Sequence, residues 1–182
     1  EVAIRLYQWA RPPVGAWDQT SFWITDHVGF AKCVLSQKSG LLARLTGGAA
    51  GVALAMYDRL RTRRGRIAGR ELQVAIQSGF DSRFDDFWQA LMAEQQDVLL
   101  CSRSREALEW HFRRGLRAGR VWVATVLNGE RLVGYAVFDR CDNPGRGLKR
   151  MRLVDFRALR SAEHMLGPLV SLALKECRAN GI

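Results

Sequence analysis

A chain of 182 residues with 48% hydrophobic and 25% charged residues can bury one ordinary core, or one core and part of a second, and is not of disordered composition. Its formal charge of +10, mostly from arginine, attracts anions: nucleotide cofactors, nucleic acid or an acidic membrane surface. Cys33, Cys101, Cys141 and Cys177 stand far apart without C-x-x-C spacing, which argues against a zinc ribbon or redox motif, offers no metal-ligand set and fits a reduced, cytoplasmic setting.

The chain opens on Glu1 and polar residues, so no targeting segment is read, and the absent initiator methionine suggests a fragment. Two strands are expected early, Val2 to Tyr7 and Ser21 to Thr25, among Trp9, Trp17 and Trp23, aromatics whose usual role is core packing. Leu41 to Leu60 reads as a helix weakened by Gly47, Gly48 and Gly51, with an apolar face for a neighbour or a membrane surface. Its least polar part, Gly47 to Tyr57, is about half the roughly 20 residues needed to span a bilayer. Arg59, Arg61, Arg63, Arg64, Arg66 and Arg70 then crowd a short stretch, a linker by composition and a candidate contact for nucleic-acid phosphates. Residues 1–58 are therefore expected to be a partial or preceding module, 59–70 a linker, and 71–182 the main domain.

From Leu72 the pattern is regular. Leu72, Val74 and Ile76 alternate with polar residues, the period of a half-buried strand. Asp81 is placed to cap a helix carrying Phe84, Phe87, Trp88 and Leu91 and ending near Glu94. After the apolar run Val98 to Cys101, a second helix is expected from Ser104, with Leu108, Trp110, Phe112 and Leu116. Val121 to Leu127, the turn Asn128-Gly129 and Arg131 to Arg140 make a hairpin, because Asn-Gly tolerates the positive φ of a two-residue turn. A further strand, Lys149 to Phe156, is expected to show Met151, Leu153 and Asp155 on one side and Arg150, Arg152 and Val154 on the other. Gly167-Pro168 opens a last helix with the stripe Leu169, Val170, Ala173, Leu174 and Cys177, and Asn180-Gly181 stops it.

Strand, two helices, three-strand meander, helix is how the GNAT (acetyltransferase-like) fold begins. The segments Phe80 to Trp88, Ser104 to Phe112, Gly129 to Phe138 and Leu153 to Phe156 resemble GNAT proteins related to the cellulose-biosynthesis and Fem-type transferases. In the two-module relatives, Val28-Gly29-Phe30 resembles the end of the preceding domain. The resemblance implies an α+β fold, a central and mostly antiparallel sheet flanked by helices, with its C-terminal part truncated at Ile182. It also implies acetyl-CoA or another acyl-CoA as cofactor, the pantetheine arm pairing with the Leu153 to Phe156 strand and the pyrophosphate at the start of the next helix, where free N–H groups and the helix dipole favour anions. The cofactor residues so implied are Asp155, Phe156, Arg157, Arg160, His164, Leu166 and Gly167. The phosphate loop departs from the family pattern: in His164-Met165-Leu166-Gly167-Pro168-Leu169 only Gly167 fits. Tyr135 and Asp155 are available for proton transfer, but no catalytic residue is assigned.

Three functions stay open at this point: an acyl-CoA-dependent N- or O-acyltransferase acting on an unknown amine or hydroxyl; a relative using an aminoacyl-tRNA donor or binding RNA through Arg59 to Arg70; and a non-catalytic GNAT-like domain in an assembly. A homo-oligomer is compatible with all three.

Overall fold

The computed structural model describes residues 22–36, 48–57, 72–96 and 99–182. The expected strand Val2–Tyr7, Trp9, Trp17, the start of the helix read from Leu41, and Arg59–Arg70 lie outside the described residues. Residues 22–25 correct the sequence reading, because they form no strand. Aromatic residues favour strands only where a pleated neighbour receives them, and Phe22 and Trp23 are exposed. The chain enters instead a helix that the sequence reading missed, α1 (His27–Ser36). Asp26 Oδ1 accepts the Gly29 N–H at 2.9 Å, satisfying a first-turn donor, and Val28-Gly29-Phe30 lies within α1. Residues 48–57 are helical as expected. They approach α1 so closely at Gly51 that a Cβ there would stand 2.6 Å from the Val28 Cα.

Residues 72–182 build an α+β unit around one four-stranded antiparallel sheet, in which β1 (Leu72–Gln77), β2 (Val121–Asn128), β3 (Arg131–Arg140) and β4 (Met151–Ala158) lie side by side in chain order. Between β1 and β2 come α2 (Arg83–Glu94) and α3 (Arg105–Arg117). After β4 a 3-10 turn, Arg160–Met165, runs directly into α4 (Leu166–Ala179). The side chains of Val123, Thr125, Tyr135 and Val137 share one face, because directly opposed residues of an antiparallel pair point the same way. Phe84 and Phe87 of α2 pack on that face, with ring centroids 5.3 and 5.5 Å from Tyr135. The opposite face, with small Ala124, Gly134 and Ala136, is covered by α4 through Leu169, Ala173 and Cys177.

Local signals explain the helix ends. Asp81 accepts the Arg83 N–H at 3.0 Å and also pairs with the Arg83 side chain, so it caps α2 as expected although Ser82 is formally the capping residue. The Ser104 side chain accepts the Ala107 N–H at 3.3 Å at the start of α3. Replacing Ser104 by Ala should lower stability by about 1 kcal/mol, read as a smaller urea midpoint at unchanged denaturant slope. Trp110 departs from the expected stripe: it is two residues from Leu108, about 200° round the helix, and is 73% exposed while Leu108 is buried.

Two bulges reset the register. Val126 pairs with Gly134 but Leu127 with Leu132, so Val133 is the extra residue, and Asn128 pairs with Arg131. The hairpin connection is therefore Gly129-Glu130, one residue later than expected, and Gly129 takes the positive φ of 61°. Between β3 and β4, Val137 pairs with Asp155 but Phe138 with Leu153, leaving Val154 as the extra residue. A bulge breaks strict alternation. Leu153 shares a face with Phe138 and Asp155 the opposite face with Val137, which corrects the expectation that Leu153 and Asp155 lie together.

Candidate functional site

Among the described residues β4 has a neighbouring strand on one side only. The Leu159 N–H donates to the Val133 carbonyl at 2.9 Å, which fixes how the backbone alternates: 155, 157 and 159 address β3, so the backbone N–H and C=O groups of Phe156 and Ala158 face the open edge. Such an edge is a row of unpaired donors and acceptors that an extended amide-bearing ligand can match. Val154 and Leu153, 40% and 43% exposed, sit at its bulged end.

The face of β4 that carries Asp155 holds a compact polar network. The Tyr135 hydroxyl donates to Asp155 Oδ2 at 3.1 Å, and Arg103 Nε, from the segment leading into α3, donates to the same oxygen at 2.7 Å. The Asp155 side chain is only 9% exposed and that of Arg103 30%. Val154 and Asp155 also line a cleft of ≈ 230 Å³ whose other wall is Ser102, Arg103 and the α3 residues Ala107, Leu108, Trp110, His111 and Phe112. Burial first, and then the Asp155 carboxylate as neighbour and hydrogen-bond acceptor, raise the Tyr135 phenol above its ordinary value of 10.0. The folded protein thus holds this proton more tightly than the unfolded chain does, so the stabilisation is complete below pH 10 and is lost as pH rises beyond it. Tyr135→Phe should therefore flatten the alkaline fall in stability above pH 10, measured by denaturation at stepped pH.

The residues implied by the resemblance are spread along this region. Asp155 and Arg157 point to the Tyr135 face and Phe156 to the α4 face. Arg160 is tied to the end of α2: its backbone N–H donates to Glu94 Oε2 at 2.9 Å and its guanidinium to the Glu94 carbonyl at 3.3 Å. His164, Leu166 and Gly167 are exposed, and a Cβ at Gly167 would meet nothing within 4 Å. The helical run begins at Arg160 rather than at Gly167, so its positive end lies there, beside the Glu94 carboxylate. Sequence reading named Tyr135 and Asp155 but missed Arg103 and the cleft wall. Arg103 precedes a helix cap like any solvated arginine, and only the bulge at Val154 turns Asp155 toward it.

The order of elements in residues 72–182, strand, two helices, three-strand meander and helix, is the order that the sequence resemblance implied. The chain matches no protein-family model and no curated protein. Among solved structures it is similar to a ribosomal-protein-alanine N-acetyltransferase from Brucella melitensis biovar Abortus 2308, at 10% identity and TM-score 0.41, over 59% of this chain and 72% of that one. An aminoglycoside acetyltransferase from an uncultured soil metagenomic sample, solved with trehalose, is similar at 11% identity and TM-score 0.43, over 62% and 73%. A predicted acetyltransferase from Clostridium acetobutylicum, solved with acetyl-CoA, is similar at 8% identity and TM-score 0.44, over 61% and 76%. Likeness at this level carries no residue roles. Kinship with GNAT proteins, and with the cellulose-biosynthesis and Fem-type transferases among them, rests on the sequence resemblance alone.

Proposed function

We propose that residues 72–182 form the cofactor-binding part of an acyl-CoA-dependent N- or O-acyltransferase, with an amine or hydroxyl as acceptor. The observation that carries this reading is the open edge of β4. The backbone groups of Phe156 and Ala158 face outward there, between a helical turn at one end and the Val154 bulge at the other. Pantetheine carries two amides, which suit such an edge as a short strand would. With the phosphates toward the 160–167 segment, the arm runs back along β4 and delivers the thioester near Val154 and Asp155. Acetyl-CoA fits the donors present, and Arg157 adds positive charge on the same strand.

Calorimetric titration of acetyl-CoA into the wild-type protein and a Gly167→Glu variant tests this. Gly167 is exposed with open space beside it, and glutamate is a better helix former than glycine, so the fold should be retained. Arg160→Ala would be less clean, since Arg160 also anchors the end of α2. Saturable binding weakened about tenfold or more in the variant is expected, one repulsive charge being worth about 1.4 kcal/mol at that ratio. A folded wild-type protein that does not bind acetyl-CoA sinks the reading. It would favour a non-catalytic GNAT-like domain, for which the Glu94 carboxylate on the Arg160 N–H already speaks, because an internal anion occupies the helix end that a pyrophosphate would use.

A further inference from the structure

We propose that helical residues 48–57, together with Phe22 and Trp23, form a docking surface for an anionic phospholipid bilayer. Gly48 to Tyr57 contain no charged side chain, and the Tyr57 hydroxyl is the one polar side-chain group among them. The helix meets α1 at Gly51, which is buried against Val28, yet Val52, Leu54, Met56 and Tyr57 are between 40% and 65% exposed. Val52 and Leu54 lie about 200° apart round the helix, so the exposed apolar surface is not a single stripe turned toward a neighbour. A helix that is apolar on every side is ordinarily covered, by a core or by lipid. Phe22 and Trp23, 69% and 57% exposed, belong to the same helical pair, the Phe22 ring lying 6.3 Å from that of Phe30 in α1.

Charge decides the occupant. After Asp58 the chain continues with Arg59, Arg61, Arg63, Arg64, Arg66 and Arg70 and no acidic residue between them, the sequence pattern of a segment drawn to acidic headgroups. A nucleic acid would match that charge but leave the apolar helix in water, and a second copy would bring together two chains of charge +10. An anionic bilayer satisfies both features. No helix among the described residues is long and apolar enough to cross a membrane, and residues 48–57 extend only about 15 Å, half the hydrocarbon thickness. The helix therefore lies in the interface, with Trp23 and Tyr57 as aromatic anchors at headgroup level. The Thr25 hydroxyl donates to the Ile182 carbonyl, which ties this helical pair to the end of the α+β unit and so carries that unit to the surface.

Flotation of the full chain with unilamellar vesicles tests this, comparing phosphatidylcholine alone with phosphatidylcholine containing about 30% phosphatidylglycerol. The protein should bind the anionic vesicles at least about tenfold more tightly than the neutral ones, and added salt should weaken that binding. Val52→Glu combined with Met56→Glu alters two exposed side chains to a good helix former, so the fold is retained, which circular dichroism checks. The double variant should lose about tenfold or more of its affinity for the anionic vesicles, because its carboxylates would have to leave water for the acyl boundary. The proposal is overturned if the wild-type protein binds neither vesicle, or if the double variant floats as the wild type does, which would leave arginine charge as the whole attraction. It is overturned equally if ultracentrifugation without lipid finds a dimer that the double variant abolishes, since a second copy then covers the helix. None of these readouts involves CoA, so this proposal and the acyltransferase reading fail separately.

Discussion

Phe84→Ala should cost about 3–5 kcal/mol of folding free energy, the usual range for removing a fully buried aromatic ring. Phe84 is 1% exposed. It stands edge-on to Phe80 at 5.0 Å and against Tyr135 at 5.3 Å, so truncation loses apolar burial and two aromatic contacts and opens a cavity between α2 and the sheet. Domains of this size are commonly stable by only about 5–15 kcal/mol, so the variant should be partly unfolded under mild denaturant. Equilibrium unfolding in urea at 25 °C checks this. A loss below about 1 kcal/mol would mean that α2 does not hold the sheet as described.

Asp155→Ala should cost about 1–3 kcal/mol and exceed the cost of Tyr135→Phe. Removing the carboxylate leaves the Tyr135 hydroxyl, on a side chain that is 0% exposed, without its acceptor, and the Arg103 guanidinium without its counter-charge. Breaking a fully buried pair costs more than this. The estimate is discounted because Arg103 is 30% exposed and regains water. Tyr135→Phe instead leaves the Arg103 pairing in place and removes one neutral donor. A double-mutant cycle across Tyr135 and Asp155 should show coupling, since they share one hydrogen bond. Strict additivity would count against the network.

Most of the unit from Leu72 onward was legible in the sequence because local chemistry and tertiary fit agree there. Asp81 and Ser104 cap the helices that their positions announce, and the alternation of Leu72, Val74 and Ile76 matches the burial of β1. What was not legible depends on register. The two bulges are invisible to a pattern with a period of two, so the connection at Gly129-Glu130 and the side of Asp155 were both misplaced by one residue. Trp110 was misassigned because an apolar side chain at the wrong angle still reads as part of a stripe. The outward direction of the Phe156 backbone groups follows from strand register, which no side-chain pattern encodes. The Glu94 carboxylate, 66 residues away in the chain, accepts the Arg160 backbone N–H, a contact that no local pattern announces.

In this sheet, neighbours in space are also neighbours in the chain: each strand pairs with the next, and β2, β3 and β4 follow one another through short connections. Little loop-closure entropy opposes such pairing, and a segment of this kind folds faster than one built on distant crossovers. Among the described residues β4 keeps one edge without a strand partner. Such an edge is available to a wrong partner during synthesis, and the exposed charge of Arg152 on β4 disfavours that pairing.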